Sequence, residues 1–145
     1  MPLHLVKMAV GAESLEHLAA WQKTRLAAIK AERGKSMLIH KTRNYPKRAE
    51  EILAGGSIYW IIKGFIRVHQ RILGFERVTD AEGKPRCEIH YSPKQIRTVP
   101  VAHKPMQGWR YMEDEAAPRD LTGKGDVTAD MPPEMLAELR KLGLL

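Results

Sequence analysis

The stretch SIYWIIKGFIRVHQRILGFERVTD, residues 57–80, decides the fold of this chain. Its β-branched and aromatic residues favour a strand, but the stretch is too long for one straight strand. We expect Gly64 and Gly74 to be the positions where it bends or bulges. A strongly curved sheet is therefore predicted at the centre of the fold.

Apolar and basic side chains alternate along this stretch, and only Gln70 interrupts the apolar series. Because successive side chains of a strand point to opposite faces, we predict a buried face that includes Trp60 and a basic face towards solvent. Residues two apart on a strand lie roughly 6–7 Å apart, near the spacing of successive phosphates. Acids on neighbouring strands, such as Glu76 and Glu88, are the alternative partners. The apolar series is Ile58, Trp60, Ile62, Ile66, Val68 and Ile72, and the basic series is Lys63, Arg67, His69 and Arg71.

The segments on either side supply further strands and two helices. Residues 85–91 predict a returning strand after a turn at DAEGK, with Arg77 opposite Glu88, and shorter extended pieces follow around 96–101 and 109–112.

Upstream, residues 3–10 predict a strand, and Ser14 and Gly34 bound an amphipathic helix. Residues 37–43 predict a second strand, and Pro46 begins a short helix that stops at two glycines.

This order of elements predicts an α+β fold. We expect a small, strongly bent, mostly antiparallel sheet or a partly closed barrel, flanked by two to three helices. Residues 1–116 are predicted to form one domain. Residues 117–145 are predicted to be an acidic, loosely held arm, because 117–133 have no apolar period, and a short helix at 133–142 ends it.

Positive charge is concentrated in the middle of the chain. The net charge is +7 over 145 residues, and residues 35–110 carry fifteen Lys and Arg against six Asp and Glu. Residues 111–145 carry four against eight. Because net charge governs association more than fold, the pattern indicates a polyanionic partner for the middle. The alternative is a basic surface that only interacts with water.

The stretch HKTRNYPKR, residues 40–48, places four cations at the predicted start of the second helix. Cations there oppose the helix dipole, but a bound phosphate or carboxylate makes both the cations and the unpaired N–H groups favourable. An arginine would bind such an anion as a planar fork and a lysine as a point charge. Neutralisation by Glu50, Glu51 or the acidic tail is the alternative.

A tryptophan and an arginine stand together in QGWRY, residues 107–111, where a nucleic-acid base could stack. The alternative is that Trp109 belongs to the core. The predicted nucleic-acid or anion site comprises Lys41, Arg43, Lys47, Arg48, Lys63, Arg67, Arg71, Trp109 and Arg110.

Catalytic and metal signatures are missing from the sequence. The six histidines show no zinc-ligand spacing, and there is no phosphate-binding glycine loop or dinucleotide fingerprint. We predict no catalytic residue, no metal and no cofactor, and we expect Cys87 to be a core residue. One enzymatic alternative remains, in which Lys41, Thr42 and Glu88 form an acid/base site for a nucleobase or amide.

The single cysteine fits a reducing cytoplasm. No apolar run approaches the roughly 20 residues that span a bilayer, and the N-terminus lacks a secretory pattern. We therefore predict a cytoplasmic protein without a membrane partner.

Four segments carry a resemblance to a known family: LHLVKMAVGAESLEHLAAWQ (3–22), HKTRNYPKRAEEILAGGSIYWIIKGFIRVHQRIL (40–73), QGWRYM (107–112) and APRDL (117–121). They resemble a family of short alphaproteobacterial proteins that is catalogued as a domain of unknown function. The resemblance covers nearly everything up to Leu121, and it implies kinship without an activity.

The His-Lys-Thr-Arg strand, the helix ending in Gly-Gly and the long strand pair are also similar to the PUA-like superfamily. That superfamily includes the ASCH and EVE domains, and YSP at 91–93 is similar to EVE-type sequences. This resemblance implies a small bent barrel that binds RNA or modified bases. The G-x-K-x-x-E signature of ASCH domains is absent, which argues against an enzyme acting on a nucleobase.

The predicted function is binding of RNA, or of another phosphate-bearing ligand, through a basic surface. A second hypothesis is a protein-interaction module whose C-terminal helix docks on a partner or on a second copy of the chain through Leu136, Leu139 and Leu142. The third hypothesis is the small nucleobase- or amide-processing enzyme.

Overall fold

The computed structural model of the protein describes residues 2–121. Within this range the chain forms seven strands, two α-helices and one short 3₁₀ turn. The elements are β1 (Leu3–Met8), α1 (Leu15–Arg33), β2 (Leu38–Thr42), α2 (Ala49–Leu53), β3 (Ser57–Ile62), β4 (Phe65–Thr79), β5 (Pro85–Tyr91), β6 (Ile96–Ala102), β7 (Trp109–Glu113) and the 3₁₀ turn Asp114–Ala116.

The central stretch is a β-hairpin formed by β3 and β4. Its two turn residues, Lys63 and Gly64, have φ angles of 49° and 83°. Positive φ at both central residues is the geometry of a type I′ turn, whose twist matches that of the flanking strands. The prediction that Gly64 only bends a continuing strand was therefore wrong, because Gly64 reverses the chain.

Strand β4 belongs to two parts of the sheet and joins them at a bend. Its first half pairs with β3 and β6, its second half pairs with β5, and the register shifts between Ile72 and Gly74. This irregularity confirms the predicted bulge at Gly74, and it lets one long strand curve the whole sheet.

The sheet is open, with the strand order β2-β5-β4-β3-β1-β7 and with β6 paired to β4. Strand β1 runs parallel to β3, and the remaining pairs are antiparallel. The α+β class and the curved, mostly antiparallel sheet are thus confirmed. Strands β2 and β7 are the two ends of this strand path among the described residues.

Both faces of the central strands are buried, so the face that was predicted to be basic and open to solvent is partly covered. Trp60 is 3% exposed and confirms the core prediction, but its neighbour Tyr59 is also buried in a second apolar cluster. His69 is 8% exposed and stacks on Tyr59 with ring centroids 4.6 Å apart. A register shift after Trp60 places Ile66 in the Tyr59 cluster. Alternation alone could not predict this, because a bulge reverses the parity of the faces.

Helix α1 has the predicted bounds and lies against β2. The Ser14 side chain accepts a hydrogen bond from the backbone N–H of His17, and Gly34 ends the helix in the left-handed conformation with φ 69°. Leu15 and Leu18 enter the core.

Helix α2 begins at Ala49, three residues after the predicted start at Pro46. Lys47 therefore precedes the helix, Arg48 is its N-cap residue, and its first turn carries Glu50 and Glu51. The predicted conflict between cations and the helix dipole does not arise, because acids occupy the first turn as usual. The helix ends at Leu53, and a Cβ on Gly56, three residues later, would collide with the backbone of Leu3 in β1 and of Ile52 in α2.

The register between β4 and β5 differs by one residue from the prediction. Arg77 lies opposite Cys87, and Glu88 lies opposite Glu76. The connection is a tight loop in which Asp80 accepts hydrogen bonds from the backbone N–H groups of Glu82 and Lys84. The predicted Arg77–Glu88 ion pair was wrong, and Glu88 pairs with Arg33 instead.

The segment after β7 runs along β6. The N–H of Val99 bonds to the carbonyl of Arg119, and the N–H of Leu121 bonds to that of Arg97. The predicted helix at 133–142 lies outside the described residues. Among residues 2–121, neither helix has the length and apolar character needed to cross a membrane.

Candidate anion-binding cleft

Strands from opposite ends of the curved sheet face each other across a cavity of about 490 Å³. Strands β1 and β7 form one wall, and the end of β2 with the following loop forms the other. We call this cavity the basic cleft. Its lining residues are Lys7, Lys41, Thr42, Arg43, Asn44, Gln107, Gly108 and Trp109.

Among residues 2–121, three cations line the basic cleft and no acidic residue does. Within residues 2–121 none of Lys7, Lys41 and Arg43 makes a salt bridge. Lys41 lies within electrostatic reach of Asp80, whose pKa is lowered first by the Lys84 backbone N–H and to a lesser degree by Lys41. The part of the cleft lining that residues 2–121 contribute is thus positively charged and contains no carboxylate.

Lys7 is the functional candidate that the sequence analysis missed. In β1 it lies opposite Trp60 of β3 and Trp109 of β7. It shares the side of β1 that carries Leu3 and Leu5, both members of the main core. Partial burial lowers the pKa of the Lys7 ammonium. The signal was present in LHLVKMAV, because alternation places this lysine among inward-facing residues.

Trp109 packs against the core and also lines the cleft. Its ring packs against the main core and meets the ring of Tyr111 edge-on, with centroids 5.1 Å apart. The two interpretations of this residue are therefore compatible. Arg110, the next residue of β7, is exposed and does not line the cleft.

Arg48 is neutralised within the chain. It donates hydrogen bonds of 2.7 and 2.8 Å to the two carboxylate oxygens of Glu51, and it lies 3.5 Å from the carboxylate of Glu113. The bond to Glu51 is the main reason that the pKa of Arg48 is raised. Lys47 is exposed and lies outside the cleft lining. The four cations of residues 40–48 thus divide, and only Lys41 and Arg43 reach the cleft.

The basic residues of the hairpin lie elsewhere on the molecule. Lys63 is exposed in the type I′ turn, Arg67 is half-buried near the β-bulge, and Arg71 is exposed on β4. None of them lines the cleft. Of the nine predicted site residues, the structure therefore brings Lys41, Arg43 and Trp109 together.

A second cavity of about 390 Å³ is lined partly by Met8 and His40, the sequence neighbours of Lys7 and Lys41. We call it the apolar pocket. Its walls include Met8, Trp21, Arg25, His40 and Trp60. The three tryptophans of the chain therefore all lie in these two cavities.

His40 is uncharged in this pocket at neutral pH. Burial lowers the pKa of its imidazole to about 4, and the positive charges of Lys7 and Arg25 add to the effect. The ring meets Trp60 edge-on, with centroids 5.8 Å apart.

A buried amide network holds Trp60 in place. Its indole N–H donates to the side-chain oxygen of Gln70 at 2.9 Å. Gln70 and Gln22 exchange two hydrogen bonds of 2.8 Å, and Gln70 also donates to the Ser92 carbonyl at 3.0 Å. Gln70, which interrupts the apolar series in the sequence, therefore fixes a wall of the apolar pocket.

Comparison with protein families matches residues 5–145 to the family described as "Protein of unknown function (DUF1489)". The chain belongs to the DUF1489 family. This confirms the first resemblance and extends it beyond Leu121 to the end of the chain. No curated protein and no solved structure matches the DUF1489 chain.

The alternative acid/base site of this DUF1489 protein would use Glu88, whose carboxylate is already hydrogen-bonded to Arg33. Lys41 lies opposite Glu88 in the β2–β5 ladder, but Glu88 does not line the cleft. Its buried carboxylate accepts two hydrogen bonds of 3.1 Å from Arg33, and a third contact of 3.0 Å joins it to His90. The Arg33 bonds are the main reason that the pKa of Glu88 is lowered.

Glu76, Glu88 and His90 place their ligand atoms within 4.8 Å of one another, so the group could hold a metal ion. Arg33 already binds both oxygens of Glu88, which accounts for the cluster as an ion-pair network. Cys87 is a buried free thiol, as predicted, and burial raises its pKa.

Proposed function

We propose that this protein binds RNA, or another phosphate-bearing ligand, in the basic cleft. The observation that carries the proposal is the meeting of three cations with Trp109 around one cavity, to whose lining residues 2–121 contribute no acid. The cations are Lys7, Lys41 and Arg43. Like charges that share a cavity repel each other, and a phosphate between them converts that repulsion into attraction.

The three cations suit different parts of such a ligand. Arg43 presents a planar fork that can bind two oxygens of one phosphate, while Lys41 is a point charge beside it. Lys7 is partly desolvated, so its attraction to an anion is screened less than at an open surface.

Trp109 favours a nucleic-acid ligand over inorganic phosphate, because bases of single strands stack on flat side chains. A PUA-like, partly closed barrel and a cytoplasmic location belong to the same proposal. The approach of β2 to β1 and β7 across the cleft supports the barrel, and the single, buried free cysteine, Cys87, supports the location.

Binding of labelled single-stranded RNA, duplex RNA and single-stranded DNA over a salt series tests the proposal. We expect the logarithm of the affinity to fall with the logarithm of salt at a slope of about −0.7 per phosphate contact on a single strand. The Lys41→Ala/Arg43→Ala variant should bind at least roughly tenfold more weakly and show a shallower slope.

The matched control is Lys63→Ala/Arg71→Ala, which removes the same charge from exposed residues outside the cleft. We expect it to lose less than about twofold in affinity beyond the general effect of net charge. Equal losses in the two double variants would show binding to a diffuse surface, and no binding at low salt would refute the proposal.

The interaction module remains an alternative prediction, because its helix lies outside the described residues. Substituting Leu136, Leu139 and Leu142 by Ala in the full chain separates the two hypotheses. RNA binding should be retained in this variant, whereas docking of a partner or second copy through that helix should be lost.

A further inference from the structure

We infer that the apolar pocket and the basic cleft form one site for a single nucleotide unit, with the phosphate in the cleft and an uncharged heteroaromatic ring in the pocket. This inference rests on the proposed function and deepens it. It narrows the ligand from phosphate-bearing molecules in general to those that carry a flat ring one sugar away from the phosphate.

Residues paired across neighbouring strands connect the two cavities. Lys7, which lines the cleft, lies opposite Trp60, which lines the pocket. The charge of Lys7 also acts on His40 across the groove. The cavities are therefore neighbouring parts of one groove between β1 and β2.

The pocket has the walls of an aromatic-ring site. Trp21 is 45% exposed, although tryptophan is normally mostly buried. Its ring is covered on one side by the Arg25 guanidinium, which lies 5.0 Å from the ring centroid. Trp60 cannot turn freely because Gln70 holds its indole N–H. Flat and partly fixed walls of this kind bind flat rings with little loss of conformational entropy.

The charge of the pocket lining indicates which type of ligand ring can bind. In the described part of the chain, the pocket lining includes Arg25 but no acidic residue, so a cationic ring would be repelled. The groove changes from cationic at Lys41 and Arg43 to mainly apolar at Met8, Trp21 and Trp60. That polarity matches a nucleotide, which is anionic at one end and flat and uncharged at the other.

The volumes of the two cavities independently indicate a ligand of limited size. The pocket and the cleft measure about 390 and 490 Å³, and small-molecule sites range from about 300 to 1,000 Å³. The other predicted phosphate contacts, among them Lys63 and Arg71, do not extend the cleft lining. The site is thus a concave cavity with room for a small ligand.

The test uses the intrinsic fluorescence of the full-length protein, because all three tryptophans line the site. The titrants are adenosine and uridine 5′-monophosphates, ribose 5-phosphate, which lacks the ring, and the nucleosides, which lack the phosphate. We expect a monophosphate to bind at least roughly tenfold more tightly than ribose 5-phosphate, the effect of one base–aromatic stack.

Trp21→Ala should remove most of this preference and leave the affinity for ribose 5-phosphate unchanged. Lys41→Ala/Arg43→Ala should weaken both phosphates alike. Leu73→Ala removes another exposed apolar side chain, one that lines neither cavity, and should behave as wild type. Competition between single-stranded RNA and adenosine 5′-monophosphate then shows whether the site binds a nucleotide within an RNA strand or a free nucleotide.

Equal affinity for a monophosphate and for ribose 5-phosphate would overturn the ring site while leaving the proposed function intact. Failure of RNA and of every phosphate to bind would overturn both. Binding of monophosphates by the Leu136/Leu139/Leu142 triple Ala variant, but not by the wild type, would show that the chain's own tail occupies the pocket and would overturn the inference.

Discussion

Beside strand β5, Arg33 donates two hydrogen bonds to the buried carboxylate of Glu88, and His90 contacts the same carboxylate. In the basic cleft, Lys41 and Arg43 line a cavity to which the described residues contribute no acid. Both regions are rich in charged side chains. They differ in whether residues 2–121 supply the opposite charge.

The difference shows how to separate structural charges from those available to a ligand. A buried charge that is paired and hydrogen-bonded contributes to the folded state, and removing its partner is destabilising. Cations that converge without a partner add repulsion to the folded state. Their position is more easily explained by an external anion than by stability.

Arg48 illustrates why charge density alone was a poor guide. It lies in the same basic stretch as Arg43, yet Glu51 and Glu113 neutralise it. Two arginines five residues apart therefore belong to opposite classes.

The largest expected effect is the loss of stability when the buried hydrogen bonds that hold Trp60 are removed. Gln70→Ala removes the partner of the Trp60 indole, of Gln22 and of the Ser92 carbonyl. Leaving such groups unpaired in a small cavity should lower the free energy of unfolding by about 4 kcal/mol. Urea denaturation measures this loss.

Gln95→Ala is the control for that measurement, because Gln95 contributes one hydrogen bond of 3.0 Å at the edge of the same network. We expect it to cost about 1 kcal/mol. Similar losses in the two variants would mean that the network is not centred on Gln70.

The next largest effect is the dependence of stability on pH through His40, which lines the apolar pocket. Burial, followed by Lys7 and Arg25, lowers the pKa of His40 from 6.5 to about 4. The unfolded chain therefore takes up a proton in this range while the folded chain resists it, so stability falls as pH falls from about 6.5 to about 4. The full loss is about 3 kcal/mol.

Denaturation of wild type and of His40→Asn at several pH values isolates this contribution. Acids such as Glu88 also titrate at low pH, but they are present in both proteins. The difference between the two stability curves should grow between pH 4 and 6.5 and stay flat above that range. A constant difference would show that His40 is not desolvated.

A smaller effect separates the two arginines of the basic stretch. Arg43→Ala should weaken binding of single-stranded RNA roughly fivefold, since it removes one charge-assisted phosphate contact. Arg48→Ala should change the affinity less than about twofold, because its charge is compensated by Glu51 and Glu113. Fluorescence anisotropy at one fixed salt concentration measures both. A larger loss from Arg48→Ala would contradict the assignment of matched and unmatched cations.

Much of the fold followed from local sequence signals. Ser14 and Gly34 bound α1 as predicted, and the β-branched run predicted the central strands. These signals are local, because a cap or a strand preference acts within a few residues. The turn at Lys63–Gly64 was missed because a glycine inside a strand pattern fits a bulge as well as a type I′ turn.

The site was less predictable because it depends on which strands meet. Lys7 and Lys41 are far apart in sequence, and they line one cavity only because the curved sheet brings β1 and β2 together. His69 was placed on a solvent face, although it stacks on Tyr59 inside the fold. Period-two alternation assigns residues to faces, but it does not determine which faces become covered.

The smallest expected effect is also the most direct test of the difference between the ion pairs at Glu88 and the basic cleft. Lys41→Ala/Arg43→Ala should change the free energy of unfolding by less than about 0.5 kcal/mol, as for surface residues without a structural partner. No salt bridge joins either residue to the rest of residues 2–121, and removing them reduces repulsion around Lys7. Repulsion is screened by salt, so any gain in stability should appear at low ionic strength and vanish at high ionic strength. Urea denaturation at the two salt concentrations measures it. A loss of more than about 1 kcal/mol would mean that the cleft cations do have a partner in the folded chain, and the two regions would then no longer differ.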